Sequence, residues 1–228
     1  MTAEASGHSA DLAIFDVCGT LYDENTTAGF LSYYHSSAEH AWFPRLKRRW
    51  ASRSSPCFYL GAAASRLVHW DIARERLVAS LRGETRASLR GAARRYAAEV
   101  LPDRENPVLH ERLDEHRRAG DRVVLVSNSL DIVIEAIAQR LEVEFRASRL
   151  GFSGEICDGR IVDDLTGRKA QTVRALAAEH EGAPTLHVFT DNESDRDIVE
   201  LADRATVVIP KGRSASMWKG QRCETIRL

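Results

Sequence analysis

Residues 108–140 read VLHERLDEHRRAGDRVVLVSNSLDIVIEAIAQR, and this stretch decides the fold. The segment 108–119 has helical spacing and stops at Gly120, where a left-handed C-cap is cheap. The β-branched run 122–126 is expected as a buried strand, and 130–140 returns to the helical period. Helix, strand and helix in immediate succession predict α/β winding. Toward the C-terminus the alternation continues with a helix over 169–181 ending at Gly182, a strand over 185–189 running into Thr190-Asp191, a helix over 195–202, and a last strand over 205–209 stopped by Pro210. Toward the N-terminus, AIFDV at 13–17 is a first strand that breaks at Cys18-Gly19-Thr20. The expected fold class is α/β, a mostly parallel sheet with right-handed crossovers. Within 151–164, the segment EICDGRIV places Asp158-Gly159 between two short alternating runs, which predicts a small β-hairpin turning at that pair.

Between 24 and 105 the character changes to Ala, Leu and Arg at helical spacing with scattered aromatics and no β-branched runs, which predicts three or four helices. Residues 25–106 hold 14 Lys/Arg and 7 Asp/Glu, while the remainder holds 18 and 26, so a basic insert interrupts an acidic core. The expected organisation is a core of 1–24 and 107–228 with a helical insert over 25–106.

A chain of 228 residues suits one core domain plus an appendage. Its net charge of -1, with 43% apolar and 29% charged residues, excludes collagenous and disordered classes. Ser54 to Ser65, an uncharged stretch of the central region, has twelve residues, short of the roughly 18 that a membrane span requires. No transmembrane segment is expected. The start, MTAEASGHSADLAIFDV, carries Glu4 and lacks the basic and apolar regions of a secretion signal, so a cytoplasmic location is expected. The cysteines at 18, 57, 157 and 223 form no CxxC and the histidines no HExxH, so reduced thiols and packing or surface histidines are expected.

In a parallel α/β sheet ligands bind outside the carboxyl ends of the strands. The polar residues there are Asp16 and Thr20, then Ser127-Asn128-Ser129, then the run from Thr190 to Asp195. Asp16 and Asp191, with Asp195 one turn further, form an oxygen-rich set of the kind Mg²⁺ accepts. Ser127 and Lys169 add a hydroxyl donor and a positive charge, which suits the oxygens of a phosphoryl group. Singly, each has an ordinary structural reading: turn or N-cap for Asp16 and Ser127, solvated helix residue for Lys169, dipole complement for the acidic run.

In order, FDVCGTL, VLVSNSLD, a Lys before a helix and VFTDNESD resemble the four motifs of the haloacid dehalogenase (HAD) superfamily, most closely its phosphoserine-phosphatase-like branch. The resemblance spans nearly the whole chain and implies a Rossmann-like core with a helical cap inserted after the first motif. It implies a Mg²⁺-dependent phosphatase acting on a small phosphorylated metabolite, with Asp16 as the nucleophile that becomes an aspartyl-phosphate. A carboxylate with a reference pKa of ~3.9 needs no activating base at neutral pH. The resemblance further assigns Mg²⁺ to the Asp16 side chain, the Cys18 carbonyl and Asp191, with Asp195 in support. Ser127 and Asn128 fall to phosphate binding, and Lys169 to phosphate binding and the orientation of Asp16.

One position departs from that pattern. Family phosphatases usually carry a second Asp two residues after the nucleophile, which protonates the leaving oxygen and then activates water; here Cys18 stands in its place. A thiol with a reference pKa of ~8.5 is a poor proton donor and does not easily alternate as a base. The alternatives are slow catalysis by Cys18, replacement by a group such as Glu24, or a leaving group that needs no acid. Phosphotransfer to an acceptor other than water, or a phosphate-binding regulatory protein with impaired turnover, are competing functions. A receiver domain would be much shorter and would lack the insert.

The insert carries Trp42, Phe43, Trp50, Phe58, Tyr59 and Trp70 interleaved with Arg45, Lys47, Arg48, Arg49 and Arg53. As a cap it is expected to close over the site and set specificity for an anionic, partly apolar ester. No nucleic-acid motif accompanies this basic aromatic patch, so no nucleic-acid partner is expected. The sequence carries no signal for oligomeric state.

Overall fold

The computed structural model describes residues 10–36, 70–180, 182–210, 212 and 214–228. Seven strands form one sheet: β1 (Leu12–Phe15), β2 (Arg122–Leu130), β3 (Glu144–Ser153), β4 (Ile156–Asp163), β5 (Leu186–Thr190), β6 (Arg204–Ile209) and β7 (Glu224–Arg227), ordered β4-β3-β2-β1-β5-β6-β7. Every pairing is parallel except the antiparallel β3–β4 hairpin. The expected α/β class with a mostly parallel sheet is what the chain adopts. The strand expected as the last is followed by β7, a four-residue edge strand too short and exposed to register as a hydrophobic run.

Side-chain alternation splits the core into two layers. On β1, Ala13 and Phe15 face one layer while Leu12 and Ile14 face the other; on β2, Leu125 joins the first, and Val124 and Val126 the second. Both faces are buried, which is why these strands read as continuous apolar runs. The second layer packs under α6 (Lys169–Ala178) and α7 (Arg196–Leu201) through Val173, Leu176 and Ile198.

The first layer packs under α4 (Pro107–Ala119) and α5 (Asp131–Leu141), and runs without a break into α1 (Thr26–Ser36) and α3 (Arg86–Glu99). α3 buries Leu89, Ala92, Ala93, Tyr96 and Ala97 on one stripe and is capped by Thr85, whose hydroxyl accepts from Ser88 N at 3.2 Å. A buried Leu or Phe contributes ~1.5–3 kcal/mol, so Phe30, Leu31, Leu89 and Leu81 hold this helical segment onto the core. α4 ends at Gly120 with φ +82°, as its sequence requires. Of the expected insert helices, α1, α2 (Trp70–Ala79) and α3 are described. The aromatic and basic residues at 42–59 lie outside the described residues, and Trp70 opens α2.

The chain leaves and re-enters the core through paired segments. Asp23 N donates to Arg104 O at 2.8 Å, and Asn106 N to Leu21 O at 2.8 Å. At the far edge of the sheet, Gly83 N donates to Cys157 O at 2.9 Å and Arg86 N to Glu155 O at 2.8 Å. The hairpin itself turns at Gly154-Glu155 rather than at Asp158-Gly159. Asp158-Gly159 lies inside β4 where the register shifts, and Gly159 takes φ +68°. A Cβ there would press on Ala79 and Arg82 at the end of α2, so the glycine serves a bulge and a close helix approach.

Among the described residues no helix is long and apolar enough to cross a membrane, and Cys18, Cys157 and Cys223 are unpaired. Cys57 lies outside the described residues.

Candidate active site

Strand register assembles the site. Phe15 pairs with Leu125 on one side and Phe189 on the other, so Asp16, Ser127 and Thr190-Asp191 emerge together at the carboxyl ends of the three central strands. Asp16 N donates to Phe189 O at 2.9 Å, extending the ladder by one residue and fixing where the side chain begins.

Lys169, at the start of α6 and 4% exposed, reaches across to this point. Its Nζ lies 3.0 Å from Asp16 Oδ1 and 2.7 Å from Asp195 Oδ2. Asp195 is held in turn by Thr190, whose hydroxyl donates to the same oxygen at 2.8 Å. Asp195 is thus turned toward Lys169. Asp191 is set by Thr20: the Thr20 hydroxyl donates to Asp191 Oδ1 at 3.0 Å and accepts from Asp191 N at 2.9 Å. That closure needs Gly19, at φ +77°, because a Cβ there would collide with the Asp191 carboxylate.

Three carboxylates around one ammonium leave a formal excess of two negative charges. Burial pushes Asp16 up to about 7; Lys169 opposes that shift, and Asp195 and Asp191 add to it. Burial likewise lifts Asp191 to about 6, against the Thr20 hydrogen bond. Burial works against the Lys169 ammonium, yet Asp16 and Asp195 hold its pKa above the usual lysine range. Burial thus makes the Asp16 carboxylate harder to ionise than its reference value implies, and added positive charge would offset that. A divalent ion fits that deficit, and oxygen donors suit a hard cation such as Mg²⁺. Among the described residues no three His, Cys, Asp or Glu side chains form a preformed metal cage. With Asp195 turned toward Lys169, Asp16 and Asp191 are the site carboxylates that could hold it.

Ser127 is 1% exposed, and its Oγ accepts from Ser129 N at 3.2 Å. It does not cap α5, whose N-cap is Leu130 without a side-chain bond. The β2–β3 register shifts between Ser127 and Leu130, so Asn128 and Ser129 bulge out of the ladder. The Asn128 Oδ1 is buried with no hydrogen-bond partner.

Cys18 sits in neutral surroundings. Its Sγ lies 3.1 Å from Thr26 Oγ1 and 3.9 Å from Ser129 Oγ, and Ser129 Oγ is 2.6 Å from the Thr26 hydroxyl and 2.7 Å from that of Thr27. Burial, then the Asp16 charge, push the thiol up, so it stays protonated at neutral pH. Thr26, Thr27 and Arg74 were not singled out by the sequence reading. Thr-Thr at the mouth of the insert was a usable signal, as α1 begins there; Arg74 offered none.

Over residues 13–200 the chain matches the family of haloacid dehalogenase-like hydrolases. No curated protein matches it. Among solved structures it is similar to a protein of unknown function from Bordetella pertussis Tohama I, at 18% identity and TM-score 0.75, covering 96% of this chain and 98% of that one. A phospho-aspartyl intermediate analogue of phosphoserine phosphatase is similar at 16% identity and TM-score 0.61, covering 96% and 93% of the two chains. A phosphoserine phosphatase from T. onnurineus is similar at 21% identity and TM-score 0.56, covering 99% and 93%. At these identities the likeness is one of fold. The family match extends over the strands that carry Asp16, Ser127 and Asp191 and over Lys169, and on that ground the chain belongs to the haloacid dehalogenase-like hydrolases.

Proposed function

We propose that the chain is a Mg²⁺-dependent phosphatase acting on a small phosphorylated metabolite, with Asp16 as its nucleophile. The observation that carries this reading is the buried Asp16 at the end of β1, one oxygen 3.0 Å from Lys169 Nζ, with the Ser127 hydroxyl at the end of the neighbouring strand. Attack by an Asp16 oxygen on phosphorus breaks the ester P–O bond, expels the alkoxide to take its proton from solvent, and leaves an aspartyl-phosphate. Water attacking that phosphorus restores the carboxylate and releases phosphate. Ser127 and the Asn128 segment bind phosphoryl oxygens, and Lys169 neutralises their charge while Asp195 holds it against Asp16. Asp16, Asp191 and the Cys18 carbonyl would hold Mg²⁺, which supplies charge to offset repulsion between nucleophile and substrate. Residues 25–106 act as the cap that excludes water and selects the ester.

Cys18 favours a second reading. A protonated thiol among hydroxyls takes no proton from water, which supports transfer to a non-water acceptor, or phosphate binding with impaired turnover. Phosphate release from a panel of phosphomonoesters, with Mg²⁺ and with EDTA, separates these. Release that needs Mg²⁺ supports the phosphatase; a phospho-enzyme that persists until an acceptor is added supports transfer. Metal and ligand binding without release supports the regulatory protein.

A further inference from the structure

Arg74 lies on α2 in the inserted segment, yet it is 5% exposed and its guanidinium reaches into the core. Nη1 donates to Asp164 Oδ2 at 2.7 Å and to Thr166 Oγ1 at 3.2 Å. Nη2 donates to the backbone carbonyl of Asn128.

Both targets belong to segments that carry phosphoryl-binding groups. The bulge in β2 takes Asn128 out of the ladder with β3, and Arg74 supplies its carbonyl with a donor. A half-buried carbonyl taken out of the ladder gains from such a partner, so this bond favours the Ser127–Ser129 bulge. Asp164 organises the turn that launches α6 and Lys169. Its Oδ1 accepts from Ser148 Oγ at 3.0 Å, Thr166 N at 2.9 Å and Thr166 Oγ1 at 2.9 Å. Ser148 Oγ accepts in turn from Leu165 N at 3.0 Å. A single guanidinium therefore ties two loops to α2. Its planar fork serves three acceptors in two loops lying in different directions, which an ammonium does less well.

We propose that Arg74 is a positioning residue: it locks the bulge bearing Ser127 and the turn before Lys169 to the inserted helix, so that the phosphoryl-binding geometry is complete only with the insert seated. The proposal rests on the reading of Ser127 and Lys169 as phosphoryl ligands. It makes the insert part of the catalytic geometry as well as a cover over it. Arg74 touches no substrate in this role.

The test compares Arg74→Met, Arg74→Lys and Asp164→Asn in the full chain by two measurements. Amide hydrogen exchange is read at 127–131 and 164–169, with β6 as an internal reference. Turnover is read on an aryl phosphate with Mg²⁺. Arg74→Met should speed exchange at both segments at least tenfold while β6 is unchanged. Its kcat should fall about 10- to 100-fold, the scale of a small misplacement of binding groups, with KM moving less than threefold. Arg74→Lys should recover part of both effects. Asp164→Asn, which keeps the turn's acceptor oxygen, should disturb 164–169 more than 127–131. Unchanged exchange at both segments in Arg74→Met overturns the lock, as does a loss that includes β6 and so reports general unfolding. If Arg74→Met fails to fold, Arg74→Lys and Asp164→Asn carry the same comparison. Altered exchange with undiminished kcat overturns the catalytic part. Altered exchange in a protein whose parent shows no turnover supports the lock and counts against the phosphatase reading instead.

Discussion

The two sides of Asp16 are built from opposite materials. On one side Lys169, Asp195 and Asp191 concentrate formal charge, with Thr190 and Thr20 spending their hydroxyls on the carboxylates. On the other, Cys18, Thr26, Thr27 and Ser129 form a neutral knot of one thiol and three hydroxyls. The difference teaches a division of labour. On the proposed reading the charged side would form the phospho-enzyme, while the protonated thiol and hydroxyls of the neutral side would offer a leaving group no ready proton.

The largest expected effect breaks the charged side. Asp16→Asn should abolish turnover and leave the fold intact, since the amide has nearly the same shape and is a poor nucleophile. Activity above a few per cent of the parent in a cleanly purified variant would exclude a covalent role for Asp16.

Next comes conversion of the neutral side. The hydroxyls of Thr26 and Ser129 stand where they can donate to a carboxylate at position 18, so Cys18→Asp should be tolerated. General acid–base catalysis contributes about 10²- to 10⁴-fold, and the variant should speed alkyl phosphate hydrolysis by a visible part of that range. An aryl phosphate, whose leaving group needs no proton, should gain far less. Equal gains on both substrates would reject a missing acid as the limit.

A smaller effect is expected for Asp191→Ala, which removes a proposed ligand and should raise the half-saturating Mg²⁺ concentration about 10- to 100-fold. An unchanged Mg²⁺ titration would remove Asp191 from the metal site.

The smallest is thermodynamic. With a folded pKa of about 7 against ~3.9 unfolded, Asp16 keeps in the folded state a proton that the unfolded chain has released. Its contribution to stability is therefore present below pH ~4 and is lost as pH rises through about 7. In EDTA, the parent should lose on the order of a few kcal/mol relative to Asp16→Asn between pH 4 and 7.5. Mg²⁺ should restore the parent mainly at the upper end. Parallel pH profiles of the two proteins by urea denaturation would contradict the burial of an uncompensated carboxylate.

Asp16, Ser127 and Asp191 were legible in the sequence because they sit where strands run out, and the apolar runs that flag those strands are local signals. AIFD, VVLVS and LHVFTD each announce a buried strand and the polar residue that leaves it. The neutral side was legible only as a substitution at Cys18. Its three hydroxyls come from two segments about a hundred residues apart and meet only through packing. Asp158-Gly159 misled because a turn and a bulge ask the same of a glycine, a positive φ, and only the neighbouring Ala79 and Arg82 distinguish them. Arg74 was one arginine among 13 in the insert, and its ion-pair partner, Asp164, lies ninety residues later.

The seating of the insert on β4 also has a consequence for biosynthesis. Thr85 waits for Ile156, and Arg74 for Asp164, so the insert's last contacts close over 71 and 90 residues of chain. At about 5–20 residues per second of translation, Arg74 is made many seconds before its partner. During that interval α2 lacks β4, and α3 carries its apolar stripe without α5 until about residue 141 has been made. A ribosome-stalled chain ending before α5 therefore leaves that stripe uncovered and open to aggregation or chaperone capture.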